Sequence, residues 1–257
     1  MSAPGPVDTL HLGLARRDYL RHPVLLTALL AVEGARRFTS GPLRATLGRT
    51  SAELKVAVCH RQALRRVRHL RSRGAGEALR LNIGCGARVR AGWLNIDLGA
   101  GADLRLDIRR PLPFADSSCA EIYCEHLLEH LAYPGEVLTV LHDWHRVLVP
   151  GGRLSVGVPD TVAPLRDYVT GATDYFEWCR THPWYPPWIE TRMDQINFHF
   201  RQQGLGFGLD HLYAYDLDTL AARLTAVGFT DIAERPFDPS RDSRPRTLYV
   251  DATKTTG

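Results

Sequence analysis

The chain has 257 residues, 44% hydrophobic and 23% charged, with a formal net charge of +4. That length suits one large α/β domain with a smaller appendage, and the apolar content excludes a chain that is disordered as a whole. No apolar run reaches the ~18 residues of a membrane span, so none is expected.

The charge is unevenly divided. Residues 1–76 carry 13 Arg and one Lys against four acids, about +10, whereas the remainder carries 18 basic and 24 acidic residues, or −6. Gly74-Ala75-Gly76 is a plausible hinge between a basic helical extension (1–76) and a main domain (77–257). Arg16-Arg17 before the apolar run Val24–Val32 looks like an export signal, but an amphipathic helix after Pro23 is the preferred reading. The five cysteines, Cys59, Cys85, Cys119, Cys124 and Cys179, are odd in number and lack zinc-ribbon spacing. A reducing, cytoplasmic setting is therefore expected.

In chain order, residues 9–38 read as one or two helices interrupted near Pro23, and Gly41-Pro42 breaks the pattern. Residues 50–72 read as a further helix, because Val56, Cys59, Ala63, Val67 and Leu70 recur at helical spacing. Arg61, Arg65, Arg66, Arg68, Arg71 and Arg73 crowd the rest of its surface. Strand-like runs follow at Leu79–Ile83, Trp93–Asp97, Ala102–Leu106, Ala120–Cys124 and Arg153–Val158. Ile232–Pro236 and Thr247–Ala252 read as closing strands. Helical patterns occupy 125–132, 135–147 and 216–227. This alternation predicts an α/β fold on a mostly parallel sheet.

The chemistry-bearing motifs sit at the ends of those strands. Leu81-Asn82-Ile83-Gly84-Cys85-Gly86 is a strand closing in Gly-x-Gly, where the backbone turns tightly and a ligand can approach. Ligands of open α/β sheets bind beyond the carboxyl ends of the strands. Asp97 ends the next strand, where a carboxylate can accept from both ribose hydroxyls. Asp107 could accept from an adenine amino group with Ile108 against the ring. Cys124-Glu125-His126 faces the same cleft.

These motifs, with Pro111–Asp116, Glu121–Leu131, Arg146–Leu154, Val158-Pro159-Asp160 and His211–Tyr215 in that order, resemble a class I S-adenosylmethionine-dependent methyltransferase of the type 11 group. The resemblance covers roughly residues 77–254, and Arg146–Leu154 is its most specific piece. It implies a Rossmann-like, mostly parallel seven-stranded sheet with helices on both faces, plus the N-terminal helical extension. It also implies S-adenosylmethionine as cofactor, with Asn82, Gly84, Cys85 and Gly86 at the amino-acid part. Asp97 and Leu98 would fall at the ribose and adenine, Asp107 and Ile108 at the adenine, and Glu125 or His126 near the methionine end. Asn82 stands where the family carries an acid. Only about eight residues separate Gly84 from the second strand, so the first crossover must be a single turn or a loop.

His126-Leu127-Leu128-Glu129-His130 also matches an inverted zinc-protease signature. The same residues fall on the methyltransferase pattern, so no metal is expected. Residues 175–215 are rich in aromatics, including Tyr175, Phe176, Trp178, Trp184, Tyr185, Trp188, Phe198, Phe200, Phe207, Tyr213 and Tyr215. A lid over an acceptor is expected at about 161–215.

Transfer from a sulfonium depends mainly on alignment, which can supply roughly 7–11 kcal/mol. A hydroxyl acceptor also wants a general base, for which His130, Asp160 and His211 are the candidates. The leading expectation is O-methylation of a small molecule, a sugar or secondary metabolite. Two rival readings stand beside it. One is a nucleic-acid or protein methyltransferase docking through the basic helices, which lack aromatic interleaving for base stacking. The other is a non-catalytic module that keeps the fold and pairs with an active homologue through residues 9–72. Separately, the N-terminal helices are a candidate homo-oligomer contact.

Overall fold

The computed structural model describes residues 22–71, 78–182, 185–201 and 210–256. Arg16-Arg17, the Gly74–Gly76 hinge, Pro183, Trp184 and Phe207 lie outside the described residues.

Two helices come first, α1 (Pro23–Arg37) and α2 (Gly41–Arg71). Gly41-Pro42 starts α2 rather than breaking a helix. Gly41 supplies a φ of +55°, and Pro42 falls in the first turn, where its missing N–H costs nothing. The helix is therefore longer than the expected 50–72. Glu33 of α1 clips the pair together, accepting from the Ser51 hydroxyl and pairing with Lys55 at 3.3 Å.

The sheet holds six strands: β1 (Leu79–Ile83), β2 (Leu94–Ile96), β3 (Cys119–Glu125), β4 (Leu148–Pro159), β5 (Phe229–Arg235) and β6 (Thr247–Lys254). Their spatial order is β2-β1-β3-β4-β6-β5. The first four in that order run parallel and β6 is antiparallel to both its neighbours. The expected seventh strand, Ala102–Leu106, makes only an isolated bridge from Leu104 to Ile96. The Asp103 side chain is taken by Asn95, accepting from its N and its Nδ2 at 2.9 Å.

Buried central strands read as near-continuous apolar runs because both faces are covered. Leu154, Val156 and Val158 of β4 and Ile122 and Cys124 of β3 are at or near zero exposure, as this requires. Helix α3 (Gly135–Val147) buries Val137, Val140, Leu141, Trp144 and Val147, a stripe at helical spacing. Each such side chain contributes about 1.5–3 kcal/mol on burial. Helix α7 (Leu217–Ala226) adds Leu220 and Leu224, and its Asp216 side chain caps the first turn by accepting from Thr219 N. Ala63 and Val67 of α2 enter the same core, so the basic extension is packed onto the sheet domain.

Between β4 and β5 in the chain lie α4 (Val162–Thr170), α5 (Asp174–Arg180) and α6 (Arg192–Phe200). They share a second core of Ala163, Tyr175, Phe176, Cys179 and Ile196, with Trp178, Tyr185 and Phe200 against it. Much of the aromatic content of this segment is thus packing. Met193, Trp188 and Leu212 remain exposed. No helix among the described residues is long and apolar enough to cross a membrane.

Candidate active site

The glycine turn after β1 is built as its sequence predicts. Gly84 has a φ of +73° and Gly86 of +52°, conformations that a side chain resists. A Cβ on Gly84 would also meet Leu127 at 3.2 Å, so the turn lies directly against the segment that follows β3. The crossover to β2 contains no helix. Its shape comes from a buried amide pair: Asn82 Nδ2 donates to Asn95 Oδ1 and to the Arg88 carbonyl, both at 2.9 Å. Asn95 in turn accepts from Arg90 N and donates to Asp103. Asn82, which stands where the resemblance expects an acid, is thus a fastener for the short loop. A carboxylate there could not donate either bond.

Asp97 joins the two loops that a nucleotide cofactor would lie across. Its Oδ2 accepts from Gly86 N at 2.8 Å and its Oδ1 from Gly99 N at 2.7 Å. Each carboxylate oxygen has a second lone-pair site, so capacity for two ribose hydroxyls remains. The cofactor fits this end: space is open beside Gly86, and the carboxylate is half-buried next to it. Leu98 follows, its carbonyl accepting from the Arg105 side chain. Burial, with Asp97 and Asp103 nearby, pushes the Cys85 thiol up to about 12, so it stays protonated and acts as lining.

Asp107 is engaged from within the protein. Arg109 Nε reaches it at 2.8 Å, and the same guanidinium forks onto both oxygens of Glu53 on α2 at 2.8 Å. Burial opposes its charge, but the Arg109 bonds outweigh this and hold the carboxyl below its ordinary value. The geometry gives Asp107 to the docking of α2, and Ile108 packs beside the core.

The end of β3 departs from the expected helix over 125–132. His126 takes a φ of +54°, its N–H bonded to the Gly157 carbonyl, and only one 3₁₀ turn forms at Leu128–His130. Pro134 shortly after also disfavours a continued helix. Glu125 accepts from Ser243 N and the Tyr249 hydroxyl; these bonds outweigh its burial and keep it ionised. They anchor the 236–246 loop, as does buried Asp242 between Arg235 and the Tyr123 hydroxyl.

The structure brings His130 and His211 together, with ring centroids 5.0 Å apart. His130 Nδ1 lies 3.1 Å from the Asp210 carbonyl and His211 Nδ1 2.9 Å from the His199 carbonyl. A carbonyl only accepts, so both Nδ1 atoms carry a proton, and in the neutral ring Nε2 presents the lone pair. Burial lowers the His211 pKa, offset in part by Glu129. Asp160 is placed differently. Its Oδ1 accepts from Val162 N and Ala163 N and starts α4.

Glu129 belongs to this cluster as well, and the His-x-x-Glu-His spacing carries the signal for it. Its side chain is 1% exposed. Oε1 lies 3.2 Å from His126 Nδ1 and 3.9 Å from His130 Nε2. Neither carboxylate oxygen receives an aligned hydrogen bond among the described residues. Burial raises its pKa, but the His126 contact first, and then the charge that His126, His130 and His211 carry when protonated, bring it down to about 2.

Residues 87–156 match the family model described as a methyltransferase domain. A search of the curated proteins returned no match. Among solved structures, an S-adenosylmethionine-dependent methyltransferase from Methanosarcina mazei is 15% identical, covering 74% of this chain and 98% of its own, with a TM-score of 0.43. One from Mesorhizobium loti is 17% identical over 75% of this chain and 96% of its own, with a TM-score of 0.41. One from Archaeoglobus fulgidus is 13% identical over 76% and 94%, also at 0.41.

Proposed function

We propose that this chain, a class I S-adenosylmethionine-dependent methyltransferase, methylates an oxygen atom of a small molecule such as a sugar or secondary metabolite. The observation that carries this reading is the imidazole pair. Two histidines, His130 and His211, have Nδ1 tied to main-chain carbonyls and Nε2 left as a lone-pair nitrogen, beside a buried carboxylate at the end of β3. A nitrogen acceptor would need no such pair, because its own lone pair attacks.

Bound S-adenosylmethionine supplies an already activated methyl group. Gly84 and Gly86 give it a close backbone approach, and Asp97 accepts from the ribose. The imidazole pair draws the proton from the acceptor hydroxyl, and a positioned base of this kind contributes about 10²–10⁴ in rate. The 161–215 segment carries exposed Trp188, Met193 and Leu212, which suit contact with an apolar body of the acceptor. The expectation of a cytoplasmic, small-molecule enzyme rests on this reading together with the free cysteines.

The test is incubation of the full-length protein with S-adenosylmethionine and a panel of hydroxylated acceptors, with methylated products located by mass spectrometry and NMR. Methyl ethers or esters support the proposal. Cofactor binding with no product from any hydroxylated acceptor, or product methylated on nitrogen, would overturn it.

A further inference from the structure

The Glu129 carboxylate is hard to explain as packing alone. A buried charge is costly unless it is paired with good geometry or coordinates a metal. Glu129 is 1% exposed with neither oxygen receiving an aligned hydrogen bond among the described residues. One ligand atom each from Glu129, His130 and His211 lies within 4.8 Å of the others. The two imidazoles carry the hallmark of metal ligands, because each donates its other ring N–H to a backbone carbonyl, at 3.1 Å for His130 and 2.9 Å for His211. That bond fixes the ring and leaves Nε2 as the ligating nitrogen. The remaining neighbour, His126, sits 3.2 Å from Glu129 and is itself held at 2.9 Å by Thr247 Oγ1, so it steadies the carboxylate from the other side.

We propose that Glu129, His130 and His211 form a binding site for a divalent cation of the zinc class. Two imidazole nitrogens and a carboxylate oxygen suit zinc, cobalt or ferrous iron better than magnesium or calcium, which prefer oxygen alone. In a tetrahedral site with bonds of about 2.0–2.1 Å, ligand atoms stand about 3.4 Å apart. The side chains therefore close in by an amount that rotamer adjustment supplies. Three protein ligands leave one position open, which distinguishes this site from a closed structural one. An oxygen ligand at that position would have its pKa lowered. With the cation bound both Nε2 lone pairs are taken, so the cation would stand in for the imidazole base by lowering the pKa of an acceptor hydroxyl at the open position, its proton passing to solvent; that role rests on the O-methylation reading, whereas the site itself does not. The His-x-x-Glu-His spacing pairs His126 with His130, whereas the structure sets His211, from the far end of the 161–215 segment, beside Glu129 and His130.

The experiment uses full-length protein stripped with chelator and titrated with Co²⁺ alone, followed by visible absorption and calorimetry. One Co²⁺ per chain is expected, with d–d bands of a nitrogen and oxygen site. Affinity should fall at least tenfold in Glu129→Gln and in His211→Ala. Zinc-edge absorption of the wild-type protein decides the case even where a variant fails to fold. The expected shell holds two imidazoles and oxygen at about 2.0–2.2 Å. No uptake by the folded chain overturns the site, as does uptake unchanged in both variants, or a shell containing cysteine sulfur at about 2.3 Å. Methyl ether formation by a chain that takes up no cation would remove this proposal and leave the O-methylation reading standing.

Discussion

Asp97 and Asn82 show how single positions divide between ligand and scaffold. Asp97 ties Gly86 N to Gly99 N and keeps lone pairs in reserve for the ribose contact proposed for it. Hydrogen bonds to a charged group are worth about 1.5–3 kcal/mol, so Asp97→Ala should weaken S-adenosylmethionine binding roughly ten- to a hundredfold by calorimetry. Unchanged affinity would mean the cofactor lies elsewhere. Asn82 is scaffold. Changing it to the acid that the resemblance expects, Asn82→Asp, removes both donors of the buried amide and sets a carboxylate against Asn95 Oδ1. A destabilisation of about 1–3 kcal/mol should appear in urea unfolding, with no gain in cofactor affinity. Tighter cofactor binding would instead return this position to ligand contact.

At the scale of elements, α2 is docked by a contact that pH should loosen. His60 Nδ1 accepts from the Asp107 backbone N–H at 3.2 Å, which a neutral ring alone can do. Burial lowers the His60 pKa, with Asp107 opposing and Arg110 assisting. A histidine whose folded pKa is depressed contributes stability above its ordinary pKa, and loses it as pH falls through the folded value. Stability should therefore drop as pH falls below the ordinary histidine value of about 6.5, and His60→Gln should show a shallower drop. Equal slopes in the two proteins would refute this. The same elements show what the sequence made legible. Periodicity was enough for α3 and α7, because their stripes are local and face one core. The helix at 125–132 failed because the left-handed backbone of His126 depends on a bond to Gly157 in a neighbouring strand. Asp107 read as an adenine ligand because its decisive partners, Arg109 and through it Glu53, are joined across 56 residues of chain. The metal-competent trio was half-visible: Glu129 and His130 are adjacent, but nothing in the spacing brings His211 to them.

For the molecule as a whole, the open question is what the basic extension faces. Its arginines divide into two kinds. Arg66 is spoken for, donating to the Asp103 carbonyl at 3.0 Å. Arg61 and Arg65 are exposed on the same helix. Because Ala63 and Val67 belong to the main core, deleting the extension would expose apolar surface and destabilise the sheet domain. Truncation is therefore a poor test of docking, and surface charge is the better variable. If the acceptor is a small molecule, Arg61→Ala with Arg65→Ala should leave turnover within about twofold, as surface substitutions usually stay within ±0.5 kcal/mol. The acceptor KM should also vary little between 50 and 200 mM salt. A polyanionic substrate predicts the opposite, because a protein making 6–10 phosphate contacts loses about 10³–10⁵ in affinity over that range. Measuring KM against salt for wild-type and doubly substituted protein decides between them. A steep log–log slope that the double substitution reduces by about two would assign the helix to phosphate contact and overturn the small-molecule reading.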